Sequence, residues 1–103
     1  MIGLGKWKFP VDTMLYRGDA VVDVADDGGT YAITIALSGM DVPDITVSDV
    51  RENENTVTGT AQIEVLKGKD IPFSITFEGD CANGFLKVPF MGKIKLNKGV
   101  RIG

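Results

Sequence analysis

The chain has 103 residues, 44% of them hydrophobic and 24% charged, with a formal net charge of −3. That balance is globular rather than disordered and supplies one core, for a single β-barrel domain over residues 1–103. It also excludes several classes: no run approaches the ~20 apolar residues of a membrane span, lysines dispersed among acids offer no patch for a nucleic acid, and the one cysteine, Cys81, rules out an internal disulfide.

Met1 to Gly5 is too short for the apolar segment of a signal peptide, and localisation stays open between the cytosol and export. Lys6-Trp7-Lys8-Phe9-Pro10-Val11 alternates, which turns Trp7, Phe9 and Val11 inward and both lysines outward. Pro10 donates no backbone hydrogen bond and suits an edge or a bulge. Asp12 to Arg17 is a connection whose apolar middle, Met14-Leu15-Tyr16, either covers one barrel end or begins the second strand. Gly18 to Ala25 is strand-like, and Asp26-Asp27-Gly28-Gly29 is a hairpin turn. The third strand, Tyr31 to Leu37, sets Tyr31, Ile33, Ile35 and Leu37 on one face. Ser38 to Asp44 is a loop fixed by Gly39 and Pro43 and carrying Met40 and Val42. Ile45-Thr46-Val47 opens a fourth strand. Val50 falls out of the period of two, which predicts a bulge near Ser48-Asp49, before a turn at Asn53-Glu54-Asn55.

The clearest pattern runs from Thr56 to Phe90. Val57, Ala61, Ile63 and Val65 share one face of the first run, and Ile71, Phe73, Ile75 and Phe77 one face of the second. In the third, Leu86, Val88 and Phe90 lie opposite Phe85 and Lys87. The connections are placed at Lys67-Gly68-Lys69 and at Asp80-Cys81-Ala82-Asn83-Gly84, the latter ending in the Asn-Gly pair of tight turns. Met91-Gly92 turns the chain into a last strand with Ile94 and Leu96 inward, and Gly99 to Gly103 is either a tail or a short extension. The fold class is therefore all-β, a small antiparallel up-and-down barrel of about eight strands in meander order, with no helix. Trp7, Ile33, Ile35, Val57, Ile63, Phe73, Ile75, Val88 and Leu96 are expected in its core. Inward Gly59 and Ala61 opposite Trp7 and Phe73 leave either tight interdigitation or a narrow cavity.

Gly5-Lys6-Trp7 at the first strand, the strand count and Arg101 near the end resemble the calycin group of lipocalins, fatty-acid-binding proteins and streptavidin-like barrels. In lipocalins the tryptophan of Gly-x-Trp closes one barrel end and a late arginine packs across it; the resemblance assigns those roles to Trp7 and Arg101. Thr56-Val57-Thr58-Gly59-Thr60 and Val88-Pro89-Phe90-Met91-Gly92 also look like small bacterial barrel domains that begin with Gly-x-Trp-x-Phe and repeat short strands through Pro-Met-Gly or Pro-Phe-Gly turns. Trp7 is the only tryptophan, so a biotin site built from several cannot be mapped onto this chain. For Arg101, the alternative to the stacked position is a disordered tail between Gly99 and Gly103.

The sequence has no histidine, hence no imidazole general base, no metal-binding imidazole and no Ser-His or Cys-His pair. A non-enzymatic chain with no cofactor and no metal is the expectation. Asp23, Asp26 and Asp27 lack the spacing of a calcium loop and read as a solvated turn. Arg17-Gly18-Asp19 matches an integrin tripeptide by letters alone. Cys81, beside Asp80 and with no neighbouring cation, reads as an ordinary thiol in a turn. Tyr31, Phe73, Phe77 and Phe90, with Met40 on the loop, are the candidate ligand-binding residues: with Trp7, the aromatic set either lines a pocket for a small apolar ligand or packs the core. Met14, Met40 and Met91 either plug a barrel mouth or meet a partner. Two functions follow: a binding module with a small apolar ligand in its interior, or a solidly packed accessory or protein-interaction domain.

Overall fold

The computed structural model describes residues 2–12, 17–38, 45–63, 70–88 and 92–103. Met14-Leu15-Tyr16, the loop with Met40 and Val42, Val65, Lys67-Gly68-Lys69, and Phe90 with Met91 lie outside the described residues, as does the side chain of Ile63. Among the described residues eight strands follow one another: β1 Gly5–Asp12, β2 Arg17–Asp27, β3 Thr30–Leu37, β4 Ile45–Asn53, β5 Thr56–Ile63, β6 Asp70–Glu78, β7 Cys81–Val88 and β8 Gly92–Arg101. They form one antiparallel sheet in the order β3-β2-β1-β8-β7-β6-β5-β4. The first and last strands are neighbours, with Trp7 opposite Arg101 and Lys8 opposite Val100. The sheet curls into a nearly closed barrel whose break lies between β3 and β4.

Alternation does what the pattern demands. Trp7, Phe9 and Val11 on β1, and Ile71, Phe73, Ile75 and Phe77 on β6, are buried, while their intervening neighbours reach the outer face. Of the expected core, Trp7, Ile33, Val57, Phe73, Ile75 and Leu96 are buried, but Ile35 and Val88 are only half-buried. On β4 the register shifts between Ser48 and Arg51, and Asp49 takes φ 54°, so the bulge sits where Val50 leaves the alternation. It lets Val47 and Val50 both pack against the core. Gly99 to Arg101 is the short extension rather than a tail, since β8 runs through it.

Three hairpins close on two-residue turns, Gly28-Gly29, Glu54-Asn55 and Gly79-Asp80. The last of these corrects the expected turn at Asp80 to Gly84. Glu78 pairs with Cys81, so Cys81 is an exposed strand residue and Asn83-Gly84 lies inside β7. Gly79, at φ 60°, makes the turn. Gly84 answers a different need: a Cβ there would stand 2.1 Å from the Ser74 carbonyl oxygen and 2.9 Å from the Ile75 Cα. Only a residue without a side chain lets β7 approach β6 this closely.

Gly59 and Gly99 make room for rings. A Cβ on Gly59 would meet the Phe73 ring at 2.7 Å, and one on Gly99 the Phe9 ring at 2.2 Å. Tight interdigitation, not a narrow cavity, is thus the outcome at Gly59. The lysines are not dispersed among acids throughout the chain: residues 81–103, which form β7, β8 and the C-terminal end, hold five of the 11 basic residues and none of the 14 acidic ones.

Candidate functional site

Strand direction sorts the barrel into two ends. The three two-residue turns and both chain termini fall at one end, and the strand ends at Asp12 and Arg17, Leu37 and Ile45, Ile63 and Asp70, and Val88 and Gly92 at the other.

The first end is sealed. Residues Ile2 to Gly5 run to it as a strap, and each holds something. The Gly3 carbonyl accepts a hydrogen bond from Trp7 Nε1 at 2.8 Å. The Leu4 carbonyl accepts one from the Arg101 guanidinium. That guanidinium lies over the indole of Trp7, 4.4 Å from the ring centroid, and its Nε pairs with Asp80 Oδ1 at 3.1 Å. The contact that the sequence likeness assigned to Trp7 and Arg101 is therefore present. Beneath it Trp7 packs on Phe77, ring centroids 4.8 Å apart. Gly5, at φ 125°, belongs to the same lock, because a Cβ would stand 2.5 Å from Arg101 Nη1 and 2.6 Å from the Gly103 carbonyl.

The strap also spans the break. The Ile2 N–H donates to Tyr31 Oη at 2.9 Å, and the Tyr31 hydroxyl donates to Glu52 Oε2 at 2.5 Å, joining β3 to β4 by side chains where backbone pairing stops. An open cleft of about 310 Å³ runs along this seam, lined by Tyr31, Val47, Asp49, Val50 and Glu52 among others. Burial raises the Tyr31 pKa above 10.0, the hydrogen bond to Glu52 raises it further, and the bond from Ile2 opposes both. Because the folded value exceeds the unfolded one, the contribution is whole below about pH 10 and is lost as pH rises through the folded value. Urea midpoints are expected to fall above about pH 10, and to fall less steeply in Tyr31→Phe.

At the other end, whose connections lie outside the described residues, the inward walls are apolar. Ile35 and Leu37 on β3 and Val47 on β4 are half-buried, as are Leu86 and Val88 on β7 and Ile94 on β8. In the strand order β7 and β8 stand diametrically across from the β3–β4 break, so these two groups face each other over the barrel.

Of the candidate ligand residues, Phe73 and Phe77 are buried in the packed interior, and Tyr31 lies at the seam with its hydroxyl engaged. Met40 and Phe90 lie outside the described residues. Weighting by aromatic character overlooked the half-buried aliphatic residues. Counting positions from the strand ends, with alternate strands running in opposite directions, would have found them. The chain matches no protein family model, no curated protein and no solved structure.

Proposed function

We propose that the protein is a non-enzymatic binding module of calycin-like architecture that takes a small apolar ligand at the end of its barrel away from the strap. The observation that supports this reading is the facing pair of half-buried apolar walls, Ile35, Leu37 and Val47 against Leu86, Val88 and Ile94, set over an interior in which Trp7 and Phe9 are fully buried. Apolar side chains left partly exposed in a concavity gain when an apolar ligand covers them, roughly 25 cal/mol for each Å² removed from water. Phe73, directly opposite Leu86, is then the aromatic ring nearest the ligand, while Phe77 stays under Trp7 at the sealed end.

Titration with an apolar fluorescent probe tests the site. Leu37→Asp and Leu86→Asp are expected to weaken uptake at least tenfold, the cost of a carboxylate facing an apolar ligand, with a change in melting temperature smaller than that of a core substitution. Equal uptake by both variants would move the site elsewhere. Native mass spectrometry of protein purified from cells is expected to show co-purified mass of lipid size.

The packing of the sealed half favours the second reading, an accessory or interaction domain with a solid core. Interdigitation of Phe73 with Gly59 and of Phe9 with Gly99 leaves those rings no gap on the glycine side. The two readings differ at the end away from the strap, which is where the probe experiment is aimed.

A further inference from the structure

Strand pairing places a cluster of like charges on one flank of the barrel. On the outer face of β7 and β8, Lys87 stands directly opposite Lys93, and Lys95 opposite Phe85. The Lys93 ammonium lies 4.3 Å from the centroid of the half-buried Phe85 ring. Like charges directly opposite in an antiparallel pair cost stability, and the fold itself asks for no such pair. Lys98 adds a further exposed cation on β8. At the sealed end of this flank Asp80 is paired with Arg101.

The same flank carries the large hydrophobic residues that are exposed among those described. Val100 is 46% exposed, opposite Lys8, and Ile102 is 51% exposed, its N–H bonded to the Lys6 carbonyl; Leu4, 38% exposed, lies beside them on the strap. Lysines along a strand pair, with exposed aliphatic side chains at one end of it, are the chemistry of a surface that rests on anionic lipid: the ammonium groups meet headgroups and the aliphatic tips enter the interface. A nucleic acid would require a groove with open aromatic faces for stacking. Here the flank is the convex outside of a barrel, and its aromatic ring is already covered by Lys93. Lysines are point charges suited to a fluid layer of headgroups, in contrast to the fixed fork of arginine.

We infer that the β7–β8 flank is a peripheral docking surface for an anionic lipid bilayer, held by Lys87, Lys93, Lys95 and Lys98 and anchored at its end by Val100 and Ile102. The barrel lies on the membrane without crossing it. This surface is on the outside of the barrel and stands or falls independently of the ligand proposed for its interior.

Co-sedimentation with vesicles of phosphatidylcholine alone, and of phosphatidylcholine with about a third phosphatidylserine, tests the inference. Binding is expected only to the anionic vesicles and is expected to weaken as salt rises, since the Debye length shortens from about 10 Å at 0.1 M to about 3 Å at 1 M. Each lysine near the surface is worth about fivefold in partitioning, so the triple variant Lys87→Ser, Lys93→Ser, Lys95→Ser should bind about a hundredfold more weakly. That variant relieves a like-charge pair, and an unchanged or raised melting temperature separates lost binding from lost folding. Val100→Ser with Ile102→Ser should weaken binding while leaving its salt dependence intact. Equal binding to both vesicle types, undiminished binding by the folded lysine variant, or tighter binding to a single-stranded oligonucleotide than to the anionic vesicles would overturn the assignment.

Discussion

Trp7→Ala is expected to lower the free energy of unfolding by about 3–5 kcal/mol, the cost of removing a fully buried large aromatic side chain. Trp7 is 0% exposed, stacks on Phe77, donates to Gly3 and lies beneath Arg101, so its loss opens the sealed end from within. Arg101→Ala removes the guanidinium and leaves the ring. A partly desolvated cation–π contact is worth about 0.5–2 kcal/mol. The pair with Asp80, whose side chain is 87% exposed, adds little. Urea unfolding of the two variants should thus separate them by about 1 kcal/mol or more. Equal losses would show that the arginine, not the indole, carries the lock. Truncation after Lys98 is a harsher change, because it removes Val100 and Arg101, the two residues through which β8 pairs with β1. Its cost should exceed that of Arg101→Ala.

The strands were legible because each of their inward runs obeys a period of two: Trp7, Phe9 and Val11, or Ile71 to Phe77, have no other consistent reading. The bulge on β4 was legible for the same reason, since Val50 breaks that period and apolar residues on both sides of the break still reach the core. Asn83-Gly84 misled because a glycine carries two physical meanings. At Gly79 it supplies a positive φ, and at Gly84 it supplies absence of a Cβ, and only the pairing of Glu78 with Cys81 tells them apart. The break between β3 and β4 left no mark on strand periodicity. What bridges it are the hydrogen bonds from Ile2 to Tyr31 and from Tyr31 to Glu52, contacts across 29 and 21 positions of the chain. The candidate site was legible in part. Leu37, Leu86, Val88 and Ile94 alternate inward in the sequence, but their half-burial follows from height along the barrel and from β7 and β8 lying across from the break. The lysine flank was hidden differently: a net charge of −3 averages over faces that the strand order separates.

Gly84→Ala is the second large effect, and its cause is a single methyl group. The added Cβ would sit 2.1 Å from the Ser74 carbonyl oxygen and 3.0 Å from its carbonyl carbon, both backbone atoms of the paired strand β6. A flexible side chain could rotate aside, but backbone cannot move without disturbing the β6–β7 pairing of Phe73 with Leu86, Ile75 with Gly84 and Phe77 with Ala82. Those residues bring Phe73, Ile75, Phe77 and Ala82 into the core, so displacement of β7 is paid in packing on both strands. Overpacking of this kind costs about 1–3 kcal/mol, and more where the neighbour is rigid. A loss of about 3 kcal/mol in urea unfolding is expected for Gly84→Ala. The comparison that isolates the cause is Asn83→Ala, one residue away on the exposed side, where the loss is the hydrogen bond accepted from the Lys98 N–H at 3.2 Å. That bond is exposed and is worth about 1 kcal/mol or less. Equal losses at the two positions would mean that β7 shifts freely and that the close approach at Gly84 is not what holds β6 and β7 together.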